Sequence, residues 1–462
     1  MDGIAIMKRR FKQVGGIENH GVIDHERRKK PQRLKISGLF CLLSAVAVIA
    51  NIGLNACKHR FRAGSVSYIP PSNVTNELLA IFEKVISSAN LLLPPGFEAY
   101  VPIILENRTI LCRNSHKGNI SKARIHSFIE TLHVGMKSSD ILANSDGTTS
   151  LPIILIESDS SGCLHRNHPH VANWLHHHPR FASRYSIHDH VDQAYFPRFA
   201  WHTPSPKYGT GWCKAIGMTG YESSRLINDQ CNTWFFDCNW DRVFKNYERK
   251  YPWKSKIDRA VWRGSTTGTY APFDDLPRAK LVKKSMGRPD IIDAGFTSFV
   301  QGWEWQNLSK QTIAASAIPF EDLMKYRAII DIDGNTWSSR FAKLLCTNSV
   351  IIKIDPDFIE YFYEDLQPMS HYVPASLQNI TKVIEYVLDK MNRRQMKAIV
   401  DSANSWCKRT ITKEQMQRDA ISQLKKYEAL LNHMYNVSWV DEWNYVRRRI
   451  MNNIGDDLVD CS

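Results

Sequence analysis

Residues 326–353, YRAIIDIDGNTWSSRFAKLLCTNSVIIK, combine carboxylates, hydroxyls and a guanidinium within a short span. Asp331 and Asp333 form an Asp-x-Asp triplet, a spacing with which two carboxylates could hold a divalent cation on a diphosphate. The seven residues that follow, Gly334 to Arg340, offer a second way to bind the same group without a metal. The sequence therefore raises the question of which set receives an anion.

The segment after Gly334 suits an anion without help from a cation. Asn335 or Thr336 is expected to cap a helix that begins there. The first amides of a helix lack internal acceptors and carry the positive end of its dipole, so a diphosphate is stabilised at that point. The hydroxyls of residues 338–339 and the planar fork of Arg340 would add further donors.

The aspartate triplet by itself specifies little. Alternation along a strand directs Asp331 and Asp333 to the same side. A second Asp-x-Asp, at 355–357, ends the next apolar run, so the spacing recurs without an evident reason. The metal-free interpretation is therefore favoured.

The surrounding pattern predicts an α/β protein. The runs YVPIILE (100–106) and LPIILIESD (151–159) are typical of buried parallel strands, and KARIHSFIETLHVGM (122–136) between them is helix-like. In the second half, AVWRGSTTG (260–268) predicts a strand that enters a Gly/Ser/Thr loop. Residues 326–357 predict a strand, a helix over 335–348 and another strand, with a right-handed crossover. Helices are predicted from Ile380 and after Thr412, whose Thr-x-x-Gln spacing is a capping-box signature.

The N-terminal region predicts a membrane anchor. Residues 1–35 hold ten Lys/Arg against four acids, and residues 36–56, ISGLFCLLSAVAVIANIGLNA, carry no charge. About 20 apolar residues in a helix span the hydrocarbon core. The denser positive charge on the N-terminal side favours a type II signal-anchor, with the tail cytoplasmic and the rest lumenal.

Two features beyond the anchor fit a secretory compartment. Six Asn-x-Ser/Thr sequons could be glycosylated there; they begin at Asn73, Asn107, Asn119, Asn307, Asn379 and Asn436. Nine cysteines follow residue 56, and an oxidising lumen would pair some of them. We therefore expect a single-pass protein of the Golgi or endoplasmic reticulum membrane.

Two other classes of function were weighed. Residues 163–190 hold eight of the 17 histidines, which raises a metal hydrolase, but no His-Glu-x-x-His spacing fixes a ligand geometry. The formal net charge of +14 raises a nucleic-acid binder, yet no zinc finger or basic helix accompanies it. We expect neither a metal in the histidine segment nor a nucleic-acid partner.

Three motifs in order give the sequence a family resemblance. AVWRGSTTG is followed about 60 residues later by YRAIIDIDGNTWSSRFAKLLCTNSVIIK and then by FIEYFYEDLQPMSHYVP (358–374). Together they resemble glycosyltransferase family 90, which holds capsule-associated xylosyltransferases and protein O-glucosyltransferases. The resemblance covers roughly residues 190–430.

The resemblance implies a fold and a domain plan. It implies a GT-B type α/β fold with two Rossmann-like domains, here joined to a C-terminal helical segment and an N-terminal transmembrane helix. The expected parts are a basic tail (1–35), the anchor (36–56), a stem (57–72), an acceptor and catalytic-base domain (73–200), a nucleotide-sugar domain (201–400) and C-terminal helices (401–462).

The resemblance also implies site residues. The expected contacts to the UDP-sugar are Ser265, Arg278, Asn335, Thr336, Trp337, Ser338, Ser339 and Arg340. The family's base is an Asp just after a strand of the N-terminal domain, which corresponds here to Asp159, with Glu157 as the rival. The Asp-x-Pro surroundings usual in the family are missing at Asp159. His371 and Tyr372 either line the cleft or pack at a strand end.

The implied reaction is an inverting, metal-independent transfer of xylose or glucose from UDP-xylose or UDP-glucose. The acceptor would be a hydroxyl of a protein Ser/Thr or of a glycan, and no cofactor is expected. The partners are then a UDP-sugar, a glycoprotein or glycan acceptor and the membrane. The alternative is a binding protein of the same fold that has lost catalysis.

Overall fold

A computed structural model of the chain describes residues 82–83, 86–87, 100–107, 109–114, 123–137, 150–156, 198–200, 203–205, 215–218, 239–268, 273–301, 313–435 and 439–461. The predicted tail, anchor and stem at 1–35, 36–56 and 57–72 lie outside these ranges. No helix within them is long and apolar enough to cross a membrane. Residues 70–462 form one of the two units into which the chain divides.

The first sheet has six strands in the order β13-β2-β1-β3-β4-β6. Its strands are β1 (Tyr100–Glu106), β2 (Thr109–Arg113), β3 (Ser150–Ile156), β4 (Arg198–Ala200), β6 (Ala215–Gly217) and β13 (Leu458–Asp460). Helix α1 (Ala123–Lys137) joins β2 to β3. The apolar side chains of β1, β3 and α1 are buried in one core cluster.

The runs at 100–106 and 151–159 form strands, but the parallel arrangement expected for them is wrong. β1 and β3 pair antiparallel, with Ile103 opposite Ile153. The reason is the short strand β2, which the sequence analysis passed over and which forms a hairpin with β1. The turn contains Asn107 with a φ of 47°, a left-handed conformation that Asn tolerates better than most residues. The hairpin reverses the chain before α1 begins.

The second sheet has five parallel strands in the order β12-β10-β9-β7-β8. They are β7 (Ile257–Ser265), β8 (Ile292–Ser298), β9 (Tyr326–Asp331), β10 (Val350–Ile354) and β12 (Val373–Ala375). The strands predicted at 260–268, 326–334 and 349–357 are thereby confirmed. A separate pair, β5 (Thr203–Pro204) with β11 (Phe358–Ile359), is antiparallel.

Helices flank this sheet and continue beyond it. They are α2 (Trp240–Lys250), α3 (Pro277–Gly287), α4 (Phe341–Leu345), α5 (Ile380–Leu388), α6 (Arg393–Thr410), α7 (Lys413–Tyr435) and α8 (Trp439–Ile454). Short 3-10 helices occupy Trp253–Ser255, Phe273–Asp275, Phe320–Lys325, Tyr361–Asp365, Lys390–Asn392 and Gly455–Asp457. The helix predicted from Ile380 is confirmed, and so is the cap before α7, where Thr412 Oγ1 accepts the Gln415 amide at 3.2 Å.

The C-terminal helices return to the first sheet. Buried residues of α7 and α8 pack into the same core cluster as β1, β3 and α1. β13 then pairs antiparallel with β2, and a disulfide joins Cys461 to Cys112. A second disulfide joins Cys346 to Cys407 behind the parallel sheet. The expected pairing of some cysteines is thus observed, while the domain boundaries and the GT-B arrangement stay predictions.

Candidate functional site

The loops at the carboxyl ends of β7 and β9 enclose a cavity of about 300 Å³. These strands are neighbours in the parallel sheet, so their ends meet at one edge. The lining residues are Gly264, Ser265, Thr267, Arg278 and the seven residues 334–340. All eight residues predicted to contact the donor are among them. The fold thus brings the predicted set together, and its role in donor binding stays a prediction.

The predicted helix over 335–348 is much shorter in the structure. α4 begins only at Phe341, with Arg340 at the N-cap position, so neither Asn335 nor Thr336 caps it. Asn335 is engaged elsewhere, because its Oδ1 accepts the Gly268 amide at 3.0 Å. Residues 334–340 therefore form an irregular loop, called here the anion loop, whose side chains bond to neighbouring segments.

A buried tryptophan anchors the anion loop. Trp337 belongs to the core cluster that contains Ala200 and Met218 of the N-terminal half, and Phe358 from β11. Its indole is 8% exposed, so it lies mostly in the core while its residue borders the cavity. The position of the loop is therefore tied to the packing of the first sheet.

Three charged side chains form a compact network beneath the anion loop. Lys353 Nζ lies 2.7 Å from Asp331 Oδ2 and 2.7 Å from Asp333 Oδ1. The pairing follows from register, since Lys353 lies opposite Asp331 in the parallel pair of β10 and β9. Ser338 Oγ donates to Asp331 Oδ1 at 2.5 Å. Burial alone would lower the pKa of Lys353, but the two carboxylates raise it well above its ordinary value, so the ammonium stays charged.

The Asp-x-Asp triplet thus has an internal partner. Both carboxylates face the ammonium of Lys353, and Asp333 Oδ2 also accepts the Asp357 amide at 3.2 Å. Within the described ranges, no group of three or more His, Cys, Asp or Glu residues is placed to hold a metal ion. This arrangement favours a structural role for the two aspartates, as partners of Lys353, over a role as metal ligands.

Arg278 joins the two loops that form the cavity. Its Nη1 donates to the Ser265 carbonyl at 3.0 Å and to Thr267 Oγ1, while its Nε donates to the Asp333 carbonyl at 3.0 Å. The guanidinium also lies 5.6 Å from the ring centre of Trp262. Burial lowers the pKa of Arg278 to about 10. We call this side chain the guanidinium clamp, because it fixes the shape of the cavity from its wall.

Arg340 has donor capacity left over. Its Nη1 donates to the Arg263 carbonyl at 2.7 Å. Its Nη2 is buried and has no hydrogen-bond partner among the residues that the structure describes. Burial lowers the pKa of Arg340, and the charge of Asp331 acts in the opposite direction. A buried donor without an acceptor is costly, so this nitrogen suits an anionic ligand in the cavity.

A second cavity of about 220 Å³ adjoins the first. The two share residues 334–336. Its other lining residues come from the ends of β9 and β10, the start of α3, β11 and the segment before α5: Pro277, Ile332, Asp333, Ile354, Asp355, Asp357, Phe358, Ser376, Leu377 and Gln378. The anion loop thus separates two spaces at the same edge of the sheet.

The remaining predicted residues fall in two groups. Asp159 and Glu157 lie outside the described residues, as does the histidine segment 163–190; β3 ends at Ile156, just before them. His371 and Tyr372 take the packed alternative: His371 Nδ1 accepts the Gln367 amide at 2.9 Å, and the Tyr372 ring meets Phe341 edge-on at 5.5 Å.

Two functional side chains of the site, those of Thr267 and Lys353, were not predicted from the sequence. Thr267 lies in the motif that was quoted, yet only Ser265 was named there. Lys353 carried a recognisable signal, a lone lysine inside the apolar run SVIIKI, where an unpaired charge would be prohibitive. Such a lysine predicts a buried carboxylate partner.

Comparison with known proteins gives one family match. Residues 238–457 match the family described as Glycosyl transferase family 90. This range includes the whole parallel sheet, the anion loop, the guanidinium clamp and Lys353.

Curated relatives are similar over part of their length. Protein O-glucosyltransferase 3 of Homo sapiens is 30% identical over 135 residues, 29% of this chain and 24% of the relative. O-glucosyltransferase rumi of Drosophila melanogaster is 28% identical over 152 residues, 32% of this chain and 35% of the relative. Protein O-glucosyltransferase 1 of Homo sapiens is 26% identical over 204 residues, 43% of this chain and 49% of the relative. The chain thus spans less than half the length of these relatives.

One solved structure, a glycosyltransferase from Rickettsia africae ESF-5, matches with a TM-score of 0.32 and 10% identity, over 54% of this chain and 67% of the other. A similarity of that size carries no argument about the fold or the site.

Proposed function

We propose that this chain, whose residues 238–457 match glycosyl transferase family 90, transfers glucose or xylose from a UDP-sugar to a hydroxyl group. The proposed acceptor is a protein Ser/Thr or a glycan of the secretory pathway. Three curated relatives carry the name O-glucosyltransferase, which favours glucose over xylose and a protein acceptor over a free glycan.

One observation supports the donor site above all others. The buried Nη2 of Arg340 has no acceptor among the described residues, and Arg340 lines a cavity whose wall also carries Ser265, Thr267 and Ser339. A diphosphate would supply acceptors to this guanidinium and these hydroxyls at once. The proposed ligand of the first cavity is therefore the diphosphate of a UDP-sugar.

The proposed mechanism is a direct displacement. A carboxylate takes the proton from the acceptor hydroxyl while that oxygen attacks the anomeric carbon of the sugar. The bond from that carbon to the diphosphate oxygen breaks, and UDP leaves with the negative charge. Arg340 and the cavity hydroxyls stabilise the charge that develops on the leaving diphosphate. One displacement by one base inverts the anomeric centre.

The chain's own residues make metal independence physically reasonable. The carboxylates of Asp331 and Asp333 already share the ammonium of Lys353. Arg340 and the guanidinium clamp supply the remaining positive charge at the cavity. We propose a transferase without a metal cofactor, of the GT-B type, held in the Golgi or endoplasmic reticulum membrane by residues 36–56. The two disulfides fit a lumenal location.

A donor screen tests this proposal. The purified protein is given UDP-glucose, UDP-xylose and other sugar nucleotides in EDTA, and release of UDP is measured. We expect release from UDP-glucose or UDP-xylose and binding of UDP in titration calorimetry. Binding of UDP without release from any donor, with or without acceptor peptides, would favour the inactive binding protein, and no binding of UDP would contradict the proposal.

The catalytic base is tested by a matched pair of substitutions. Asp159→Asn is expected to lower transfer by about 10²- to 10⁴-fold, the range for loss of a general base, while UDP affinity stays unchanged. Glu157→Gln is the matched control and should retain turnover. The assignment is reversed if Asp159→Asn turns over normally and Glu157→Gln does not.

A further inference from the structure

We propose that Lys353 is a positioning residue that supplies, as a fixed part of the protein, the positive charge that a divalent cation would supply between Asp331 and Asp333. Through these carboxylates it also holds the anion loop in the shape that receives the ligand. The inference rests on the proposed function only in naming a diphosphate as that ligand.

The ammonium occupies the place of a bridging cation. It lies 2.7 Å from one oxygen of each aspartate. The two aspartates are two residues apart and face the same side, and Lys353 reaches them from the neighbouring strand. Lys353 and Asp331 are 1% and 0% exposed, and Asp333 is 16% exposed. Water therefore contributes little to neutralising these carboxylates, and the lysine must do so.

The network connects the ammonium to the cavity wall. Asp331 bonds to Lys353 with Oδ2 and accepts from Ser338 with Oδ1, so a single carboxylate links the lysine to the anion loop. Asp333 accepts from Lys353 with Oδ1 and from the Asp357 amide with Oδ2, so it fixes the segment after β10. Both links require these oxygens in fixed orientations, which the bonds to the ammonium provide. The lysine thereby sets the position of Ser338, which lines the cavity.

Removal of the ammonium should change both shape and charge. With both aspartates ionised, the three side chains carry a net charge of −1, which becomes −2 without the lysine. Two buried carboxylates in that position repel one another, so one must take a proton or turn away and lose its bond. The remaining negative charge would also repel a diphosphate in the adjoining cavity. A lysine that only stabilised the fold would affect folding but would not create a cation site.

Replacement by alanine should convert the pair of aspartates into a cation site. Lys353→Ala leaves two carboxylates facing a vacated space, and carboxylate oxygens suit Mn²⁺. We expect the variant to bind UDP about tenfold more weakly in EDTA, since one unit of charge close to a diphosphate has about that effect at protein dielectric values. Affinity should return in excess MnCl₂. The wild-type protein should bind UDP equally well in EDTA and in excess MnCl₂.

Two matched variants complete the experiment. Lys353→Arg keeps the charge and should bind UDP without Mn²⁺. Asp331→Asn combined with Lys353→Met keeps an acceptor for Ser338 and the net charge of −1, so it should bind UDP without responding to Mn²⁺. Wild-type UDP affinity of Lys353→Ala in EDTA would overturn the inference, and so would weakened affinity that Mn²⁺ does not restore.

Direct measurement of Mn²⁺ separates this inference from the proposed function. Electron paramagnetic resonance of Lys353→Ala with Mn²⁺ alone should reveal a bound ion that the wild-type protein lacks. If the wild-type protein does not bind UDP, the proposed function fails, whereas Mn²⁺ binding by the variant still decides the inference. If Lys353→Ala does not fold in EDTA, Mn²⁺ should restore its near-ultraviolet circular dichroism, and a variant unfolded in both conditions overturns the inference.

Discussion

Substitution of Arg340 is the most direct test of the cavity as an anion site. Arg340→Ala removes a buried nitrogen, Nη2, that lacks an acceptor among the described residues, together with the bond from Nη1 to the Arg263 carbonyl. Loss of Nη2 should weaken ligand binding, whereas loss of the bond from Nη1 should destabilise the anion loop. The two effects can be separated because one appears in UDP affinity and the other in the free energy of unfolding.

The size of the effect follows from the contacts. A hydrogen bond to a charged group contributes about 1.5–3 kcal/mol, so loss of the guanidinium should weaken UDP binding by about 10- to 150-fold. Loss of the bond to the Arg263 carbonyl should lower the free energy of unfolding by about 1 kcal/mol. Arg340→Lys keeps the charge without the fork, so its UDP affinity should lie between those of wild type and Arg340→Ala.

The assay is titration calorimetry with UDP, in parallel with chemical unfolding of each variant. Arg288→Ala is the matched control: Arg288 is a surface arginine of the same sheet region whose partners are Asp290 and Glu385, away from the cavity. It should leave UDP affinity unchanged. A folded Arg340→Ala variant with wild-type affinity for UDP would refute the placement of the diphosphate in this cavity.

Three further predictions concern stability and the shape of the site. Replacement of Cys346 and Cys407 by alanine should lower the free energy of unfolding by about 4 kcal/mol, from the entropy of the loop of 61 residues that the disulfide closes. The variant keeps the Cys112–Cys461 disulfide, so dithiothreitol should destabilise it less than the wild-type protein. Burial lowers the pKa of His371 from 6.5, so its contribution to stability is present above pH 6.5 and is lost as the pH falls through the lowered pKa. His371→Gln should therefore flatten the pH dependence of the unfolding midpoint below pH 6.5, and an unchanged slope would contradict this. Gly334→Ala would bring a Cβ to 3.0 Å from the guanidinium clamp and should lower donor turnover by about tenfold or more; Gly287→Ala, which meets nothing within 4 Å, should not.

The sequence by itself determined the elements around the site. The apolar runs at 326–331 and 350–354 are strands because they are short and rich in β-branched residues, and their parallel pairing follows from the helical segment between them. The order of three motifs indicated the family that residues 238–457 match, and the first two motifs supplied every predicted donor residue that lines the cavity except Arg278. Local pattern sufficed for these features because strands and loops of an α/β unit are encoded within about 30 residues.

The sequence analysis failed where distant segments compete for the same groups. It predicted a helix from Asn335, but the side chain of Asn335 accepts a bond from Gly268, 67 residues away, so the helix starts only at Phe341. It also missed the hairpin strand β2, because a strand of five residues beside a longer one carries little periodic signal.

The different roles of the charged residues in the site were decided by the tertiary structure alone. Sequence position gave Arg278 and Arg340 the same role. Arg278 bonds to the protein's own oxygens, whereas Arg340 bonds to one such oxygen and keeps a donor, Nη2, that has no acceptor within the described part of the chain. The aspartate triplet is satisfied by Lys353 because β9 and β10 pair in one register, and a shift of one residue would turn that lysine to the opposite face. A sequence names the groups that can bear charge, but only the register and packing of distant segments determine which of them neutralise one another and which are left for a ligand.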